Sequence, residues 1–191
     1  KIVQALVLDP TLDGRELSLI IVEEFTNLFS KPPYQSEILT TQSVFDMSKI
    51  IPLGDCVSAM AHAITEDIDS YRSILKEASL SAMMPWGARC ESWIDMITFV
   101  EYILENSKKG SAVASACQDV LDAYAECMLG MGVTKNSEMY GYQGIGILFP
   151  ASHSSYTVAY ADSEWGGYNI YVTYEFPNMG WLDFLETYWG V

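Results

Sequence analysis

The sequence predicts a layered α/β fold, rich in helix and short of strands. Three observations predict it. Stretches with apolar residues three and four apart occupy most of the chain. Only two runs, Glu37–Phe45 and Gly144–Pro150, have firm strand character. Their order, a helix, a strand, two or three helices, a strand and a helix, suits one layered domain. Two strands are few for a complete sheet, so further strands are expected in missing sequence or in another chain. The 191 residues, 50% of them hydrophobic, suffice for one packed domain or most of a larger one. No Pro- or Ser-rich linker, internal repeat or low-complexity segment divides them.

The elements follow from local chemistry. Lys1–Leu8 reads as the tail of an apolar element, broken by Asp9-Pro10. Asp13 and Glu16 have the spacing of a capping box. Leu17, Ile20, Ile21, Phe25 and Leu28 then mark a helix to about Phe29, stopped by Lys31-Pro32-Pro33. Glu37–Phe45 carries the strand-prone Ile38, Thr40, Thr41, Val44 and Phe45. Asp46 or Ser48 is expected to cap the next turn, and Pro52 suits the first turn of a helix. That helix carries Val57, Met60, Ala61, Ile64 and Ile68, and its pattern runs on through Tyr71 and Leu75. A loop is expected from about Ser79 to Arg89. Trp93, Ile97, Val100 and Leu104 mark a third helix, ending near Lys108-Lys109-Gly110. A fourth is predicted from about Ser111 to Leu129. After the Gly144–Pro150 strand, Tyr168–Tyr174 is expected as a strand or an irregular aromatic segment. A short helix over Trp181–Trp189 closes the chain.

Ten basic against 25 acidic side chains give a net charge of −15. Such a surface repels phosphate backbones, which argues against nucleic-acid binding; it would attract cationic substrates or peptides by long-range steering, but is read first as a means of solubility. No apolar run reaches the roughly 18 residues of a membrane span. Lys1 rather than Met stands first, which predicts a processed or trimmed chain. The four cysteines, Cys56, Cys90, Cys117 and Cys127, form no C-x-x-C pair, and only two histidines accompany them, so the spacing gives a zinc site almost no support. Cys56, Cys117 and Cys127 are expected as buried free thiols on helices.

Several segments in this order resemble the C-terminal region of clostripain-like cysteine peptidases. Leu12-Asp13-Gly14-Arg15-Glu16-Leu17 through Phe25 is similar to that family's capped helix following its catalytic half. Thr41-Gln42-Ser43-Val44-Phe45-Asp46-Met47-Ser48-Lys49 resembles its T-x-S-x-x-D-x-S-K passage from strand to helix. Trp93-Ile94-Asp95-Met96-Ile97-Thr98-Phe99 is similar to its D-L-x-x-F helix. Gly144-Ile145-Gly146-Ile147-Leu148-Phe149-Pro150 and Gly180-Trp181-Leu182-Asp183-Phe184-Leu185 resemble its G-x-S-I-x-F-P strand and terminal G-W-x-x-F-L helix. Gly146 departs from the family, which usually has Ser there.

The resemblance implies residues 1–191 as the helix-rich C-terminal portion of a caspase-like α/β/α sandwich. It further implies an endopeptidase cutting after Arg or Lys, secreted or at a bacterial cell surface. The family's His–Cys dyad lies upstream of the matched segments, so an upstream fragment carrying it is the implied partner, with cationic peptides or proteins as substrates. None of the four cysteines follows Asp-Ala as the family's nucleophile does, so no catalytic residue is carried over to this chain. Calcium is the one cofactor the resemblance brings into question, and no residue is assigned to it.

Other residues invite chemical readings. His62 lies six residues after Cys56 on one predicted helix, a poor alignment for a dyad. His153 sits beside Ser152, Ser154 and Ser155 at a strand end, where α/β folds carry sites, and is taken as a loop residue. Asp162, Glu164 and Glu175 lie among Tyr160, Trp165, Tyr168, Tyr171 and Tyr174, a composition suited to sugars or cations, and are read as an aromatic cap. Gly130-Met131-Gly132 lacks the rest of a phosphate-binding loop. The alternatives to a peptidase portion are a non-catalytic binding or assembly module and a carbohydrate-binding module.

Overall fold

A computed structural model describes residues 1–32, 41–82, 92–134, 141–156 and 177–191. The fold is mixed α/β and dominated by helices. In chain order it runs α1 (Ile2–Leu8), α2 (Gly14–Phe29), β1 (Thr41–Phe45), a 3₁₀ turn (Met47–Lys49), α3 (Ile50–Thr65), α4 (Ile68–Ser81) and β2 (Trp93–Asp95). There follow α5 (Met96–Asn106), α6 (Ala112–Cys127), β3 (Met128–Val133), β4 (Gly146–Leu148), α7 (His153–Tyr156), a wide turn (Pro177–Trp181) and α8 (Leu182–Trp189). No helix among the described residues is long and apolar enough to cross a membrane.

Side-chain caps set several starts. Asp13 accepts from the Glu16 amide at 2.8 Å while the Glu16 carboxylate accepts from the Asp13 amide at 3.0 Å, a complete capping box. Asp46 accepts from the Ser48 amide and hydroxyl, Asp95 from the Thr98 amide, and Ser111 from the Ala114 amide. Each satisfies donors that the first helical turn leaves unpaired.

Three boundaries differ from the sequence-based expectation. The long helix through Leu75 is two helices, interrupted at Glu66-Asp67, where Asp67 leaves helical geometry (φ −138°). Trp93 does not begin a helix: Trp93, Ile94 and Asp95 pair antiparallel with Leu148, Ile147 and Gly146. The helix predicted to Leu129 ends at Cys127, and Met128–Val133 is a strand paired antiparallel with β1. Four strands therefore appear among the described residues, in two separate two-stranded sheets. The expected strand residues 37–40, most of the 79–89 loop and Tyr168–Tyr174 lie outside the described residues, as do Cys90, Asp162, Glu164, Trp165 and Glu175.

The main core lies among α3, α4, α5, α6, α8 and the β2–β4 pair. Met60, Ile64, Leu75, Phe99, Ile103, Trp181 and Leu185 are fully buried there. Phe149, just past β4, gathers the rings: Phe99 and Tyr188 at 5.0 Å and Phe184 at 6.3 Å. The Trp181 indole N–H donates to the Leu148 carbonyl at 2.9 Å, and Trp189 donates to Pro150 at 3.0 Å. The buried Trp181 indole needs such an acceptor, and together the two bonds fasten the chain's last helix to the end of β4.

The β1–β3 ribbon carries α2 on one face. Gly130 and Gly132 lie on that face: a Cβ on Gly132 would collide with Thr26 Oγ1 and approach Val22 Cγ1 to 2.9 Å, and one on Gly130 would reach Leu19 Cδ2 at 2.6 Å. The paired glycines thus form a floor without side chains on which the helix sits close to the backbone. Val22 is the only buried residue of α2, and α1 has none. Val3, Val7, Leu8 and Leu28 are exposed.

Candidate functional site

The described thiols are placed first, since thiol chemistry is the sequence's main question. Cys117, inside α6, is fully buried, and burial pushes its thiol up to about 12. Cys127 ends α6 with its Sγ 3.6 Å from the Asp46 carbonyl; burial and then the Asp46 carboxylate raise it. Cys56 is only half-buried on α3, contrary to the expectation of a buried thiol, because its helix turns that flank outward. It too is raised, by burial and then by Asp119 and Asp55. All three are free. A nucleophilic thiolate needs the reverse shift, produced by a cation or a helix N-terminus.

The imidazoles sit elsewhere. His62 is exposed on α3, with Nε2 3.7 Å from the Glu66 carboxylate one turn on. His153 opens the short α7 rather than a loop, and its ring lies 5.6 Å from Trp189 and 6.4 Å from Tyr156. The described contacts of the two imidazoles are thus a carboxylate and aromatic rings. Ser152 and Ser155 hydrogen-bond to each other at 2.9 Å.

Two polar constellations emerge that the sequence reading did not assemble. The first is a clamp on Gln143. Asp95, 1% exposed, accepts from the Gln143 amide at 2.8 Å, while the Tyr124 hydroxyl donates to the Gln143 carbonyl. Tyr124 is pushed up to about 12 by burial, then by Asp95, Cys127 and Glu101. Glu101 is raised by its burial, Asp95 and Glu105. With one oxygen on Thr98 and the other on Gln143, the Asp95 carboxylate is fully used in holding α5 to the loop before β4. The spacing Asp95–Thr98 is a capping signal readable in sequence; the Tyr124 contact is not.

The second is a cleft of about 420 Å³ between α3 and the C-terminal turn. Ser58, His62 and Thr65 face Gly180, Asp183 and Thr187 across it. Gly180 makes the turn with φ +94°, a conformation that favours glycine. Ser58, His62 and Asp183 together suggest a hydrolytic triad by composition. The Ser58 hydroxyl, however, donates to the Met179 carbonyl, so its proton is directed away from an imidazole base. The cleft can bind through donors and acceptors; it has no activated nucleophile.

No family model, no curated protein and no solved structure matches the chain. Nor do the described residues contain any group of three or more His, Cys, Asp or Glu side chains able to hold a metal ion. Among the described residues the three thiols are raised, the Asp95 carboxylate is committed to Thr98 and Gln143, and the Ser58 hydroxyl is turned to a carbonyl.

Proposed function

We propose that this chain is the helix-rich C-terminal portion of a clostripain-like cysteine endopeptidase, part of a caspase-like α/β/α sandwich, which supports a His–Cys dyad supplied by an upstream segment or a separate chain. On this reading the whole enzyme is secreted or surface-bound and cuts after Arg or Lys, to which an acidic surface is suited. One observation carries it: segments that resemble the family in sequence are packing partners in space. Phe99, Phe149, Trp181 and Phe184, from three of those segments, form one ring cluster, with Phe149 5.0 Å from Phe99 and Trp181 5.0 Å from Phe184. The raised thiols of Cys56, Cys117 and Cys127 agree with a nucleophile located elsewhere.

The second reading, a non-catalytic binding or assembly module, is favoured by the exposed apolar surface of α1 and α2, which suits a docking role. Intact-mass measurement under native and then denaturing conditions separates the two, followed by a fluorogenic Arg-peptide assay. The expected result is a second polypeptide bearing an Asp-Ala-Cys segment, with cleavage only when both chains are present. Cleavage by this chain alone, or a single inactive monomer in the native organism's own preparation, would overturn the proposal.

A further inference from the structure

We propose that the cleft between α3 and the C-terminal turn binds a guanidinium group carried on a short apolar stem. This does not rest on the peptidase reading, since it requires neither a dyad nor an upstream chain.

Protons decide what the cleft can recognise. A hydroxyl has one hydrogen to donate and two lone pairs with which to accept, so once its hydrogen is committed it can only accept. The hydroxyls lining the cleft, on Ser58, Thr65 and Thr187, are all in that state. Ser58 donates to the Met179 carbonyl at 2.5 Å, Thr65 to the Ala61 carbonyl at 2.8 Å and Thr187 to the Asp183 carbonyl at 2.9 Å. The Asp183 carboxylate lines the same cleft, and when ionised it too can only accept. A ligand rich in donors and without acceptors is the complement of such a lining.

The fold sets these groups in two facing rows. Ser58, His62 and Thr65 recur at helical spacing along α3, and Asp183 and Thr187 lie one turn apart on α8. Between the rows is a space of about 420 Å³, where Ala59, Met179 and Phe184 supply apolar surface for a methylene stem. A guanidinium carries five N–H donors in a rigid planar fork and no acceptor, so it can bond to both rows at once.

Charge separates a cation from a neutral donor. Asp183 is exposed and takes part in none of the described ion pairs. The start of a helix by itself favours an anion, but Asp183, in the first turn of α8, already puts a negative charge there. His62, the basic side chain of the cleft, has the Glu66 carboxylate 3.7 Å from its Nε2. Arg72 reaches the other end of α8, where it is taken up by Asp69 at 3.1 Å and by the Tyr188 and Thr187 carbonyls. The chain's net charge of −15 draws cations toward the cleft and turns anions away.

The probe is n-butylguanidinium, titrated at low salt into the full isotope-labelled chain and followed by amide chemical shifts. Expected are saturable shifts confined to Ser58–Thr65 and Met179–Thr187, and none from the neutral counterpart n-butylurea or from butyrate. Asp183→Asn should weaken binding by about two- to fivefold. Thr187→Val, which keeps the shape but removes an acceptor, should weaken it by about the same factor. Asp183→Asn alters only the charge of an exposed side chain, so it decides the matter even if Thr187→Val disturbs α8. A blocked Ala-Arg-Ala peptide that binds more tightly than the probe assigns the site to a polypeptide side chain, and weaker binding assigns it to a free small cation. The proposal is overturned if the probe shifts no amide of these segments at tens of millimolar, or if the urea or butyrate shifts them equally. It is equally overturned if Asp183→Asn binds as tightly as the unaltered chain.

Discussion

The body formed by α3–α6, α8 and the β2–β4 pair differs from the lobe formed by α1, α2 and the β1–β3 ribbon in how completely each closes over its apolar surface. In the body, every helix from α3 to α6, and α8, buries at least two residues. In the lobe, the two helices bury only Val22. The residue types are not the cause, since α1 is Ile-Val-Gln-Ala-Leu-Val-Leu. The lobe is one layer of helix on a two-stranded ribbon, and such a ribbon gains independent stability only from what packs on it. Among the described residues no further layer packs over α1 and α2, so much of their apolar surface stays in water whatever their sequence. The body's helices are covered on several sides, and their polar contacts, such as Arg72 on the Tyr188 and Thr187 carbonyls, tie distant segments together.

The comparison breaks first where the body is weakened. Trp181→Ala removes a fully buried ring and its bond to Leu148, and should cost about 3–5 kcal/mol. Urea unfolding measures the loss. Amide exchange should accelerate throughout α3–α6, and a change confined to α8 would show that the C-terminal helix is an appendage rather than part of the body.

A smaller effect sharpens the contrast. Gly132→Val should cost about 1–3 kcal/mol by forcing α2 off the ribbon at Val22 and Thr26. Exchange at Gly14–Phe29 should rise while α5 stays protected. Equal loss in both would show that lobe and body unfold as one unit.

The least effect at neutral pH is a titration inside the body. Cys117 and Tyr124 have folded values of about 12, above their ordinary 9.0 and 10.0, so folding favours their protonated forms. Their contribution is complete below pH 9 and is lost as pH rises toward about 12. Stability measured in urea should therefore decline over that alkaline range, and Tyr124→Phe should flatten the part above pH 10. Parallel curves for the two proteins would discount the tyrosine.

What the sequence made legible were features decided within a turn or two. The Asp13–Glu16 box, the Asp46 cap, the Ser111 start and the Phe149-Pro150 strand end are all set by neighbours. Beta3 escaped because Met128 and Leu129 continue the apolar spacing of α6, and its partner β1 lies far upstream. Beta2 escaped because three residues are too few to show alternation, and Ile97 and Val100 carry a helical pattern that Trp93 happens to fit. The glycine pair Gly130 and Gly132 was visible only as a phosphate loop that failed to match; its purpose appears once α2 is seen resting on it. Likewise Ser58, His62 and Asp183 meet across a cleft through a fold that brings the chain's end back to α3, which no local pattern encodes.

The pairing of β1 with β3 has a consequence for the order of events in folding. Phe45 meets Met128 only after the whole of α3, α4, α5 and α6 has been drawn into the loop between them. Closing so long a loop in an open chain forfeits entropy before any ladder bond returns it, so contacts of this kind form late. Helix pairs nearer in sequence, such as α5 with α6, can assemble first and bring the two strand ends together. The ribbon then closes as a latch over a finished body, with α2 settling on its glycines last. On that route the lobe is also the first part to open.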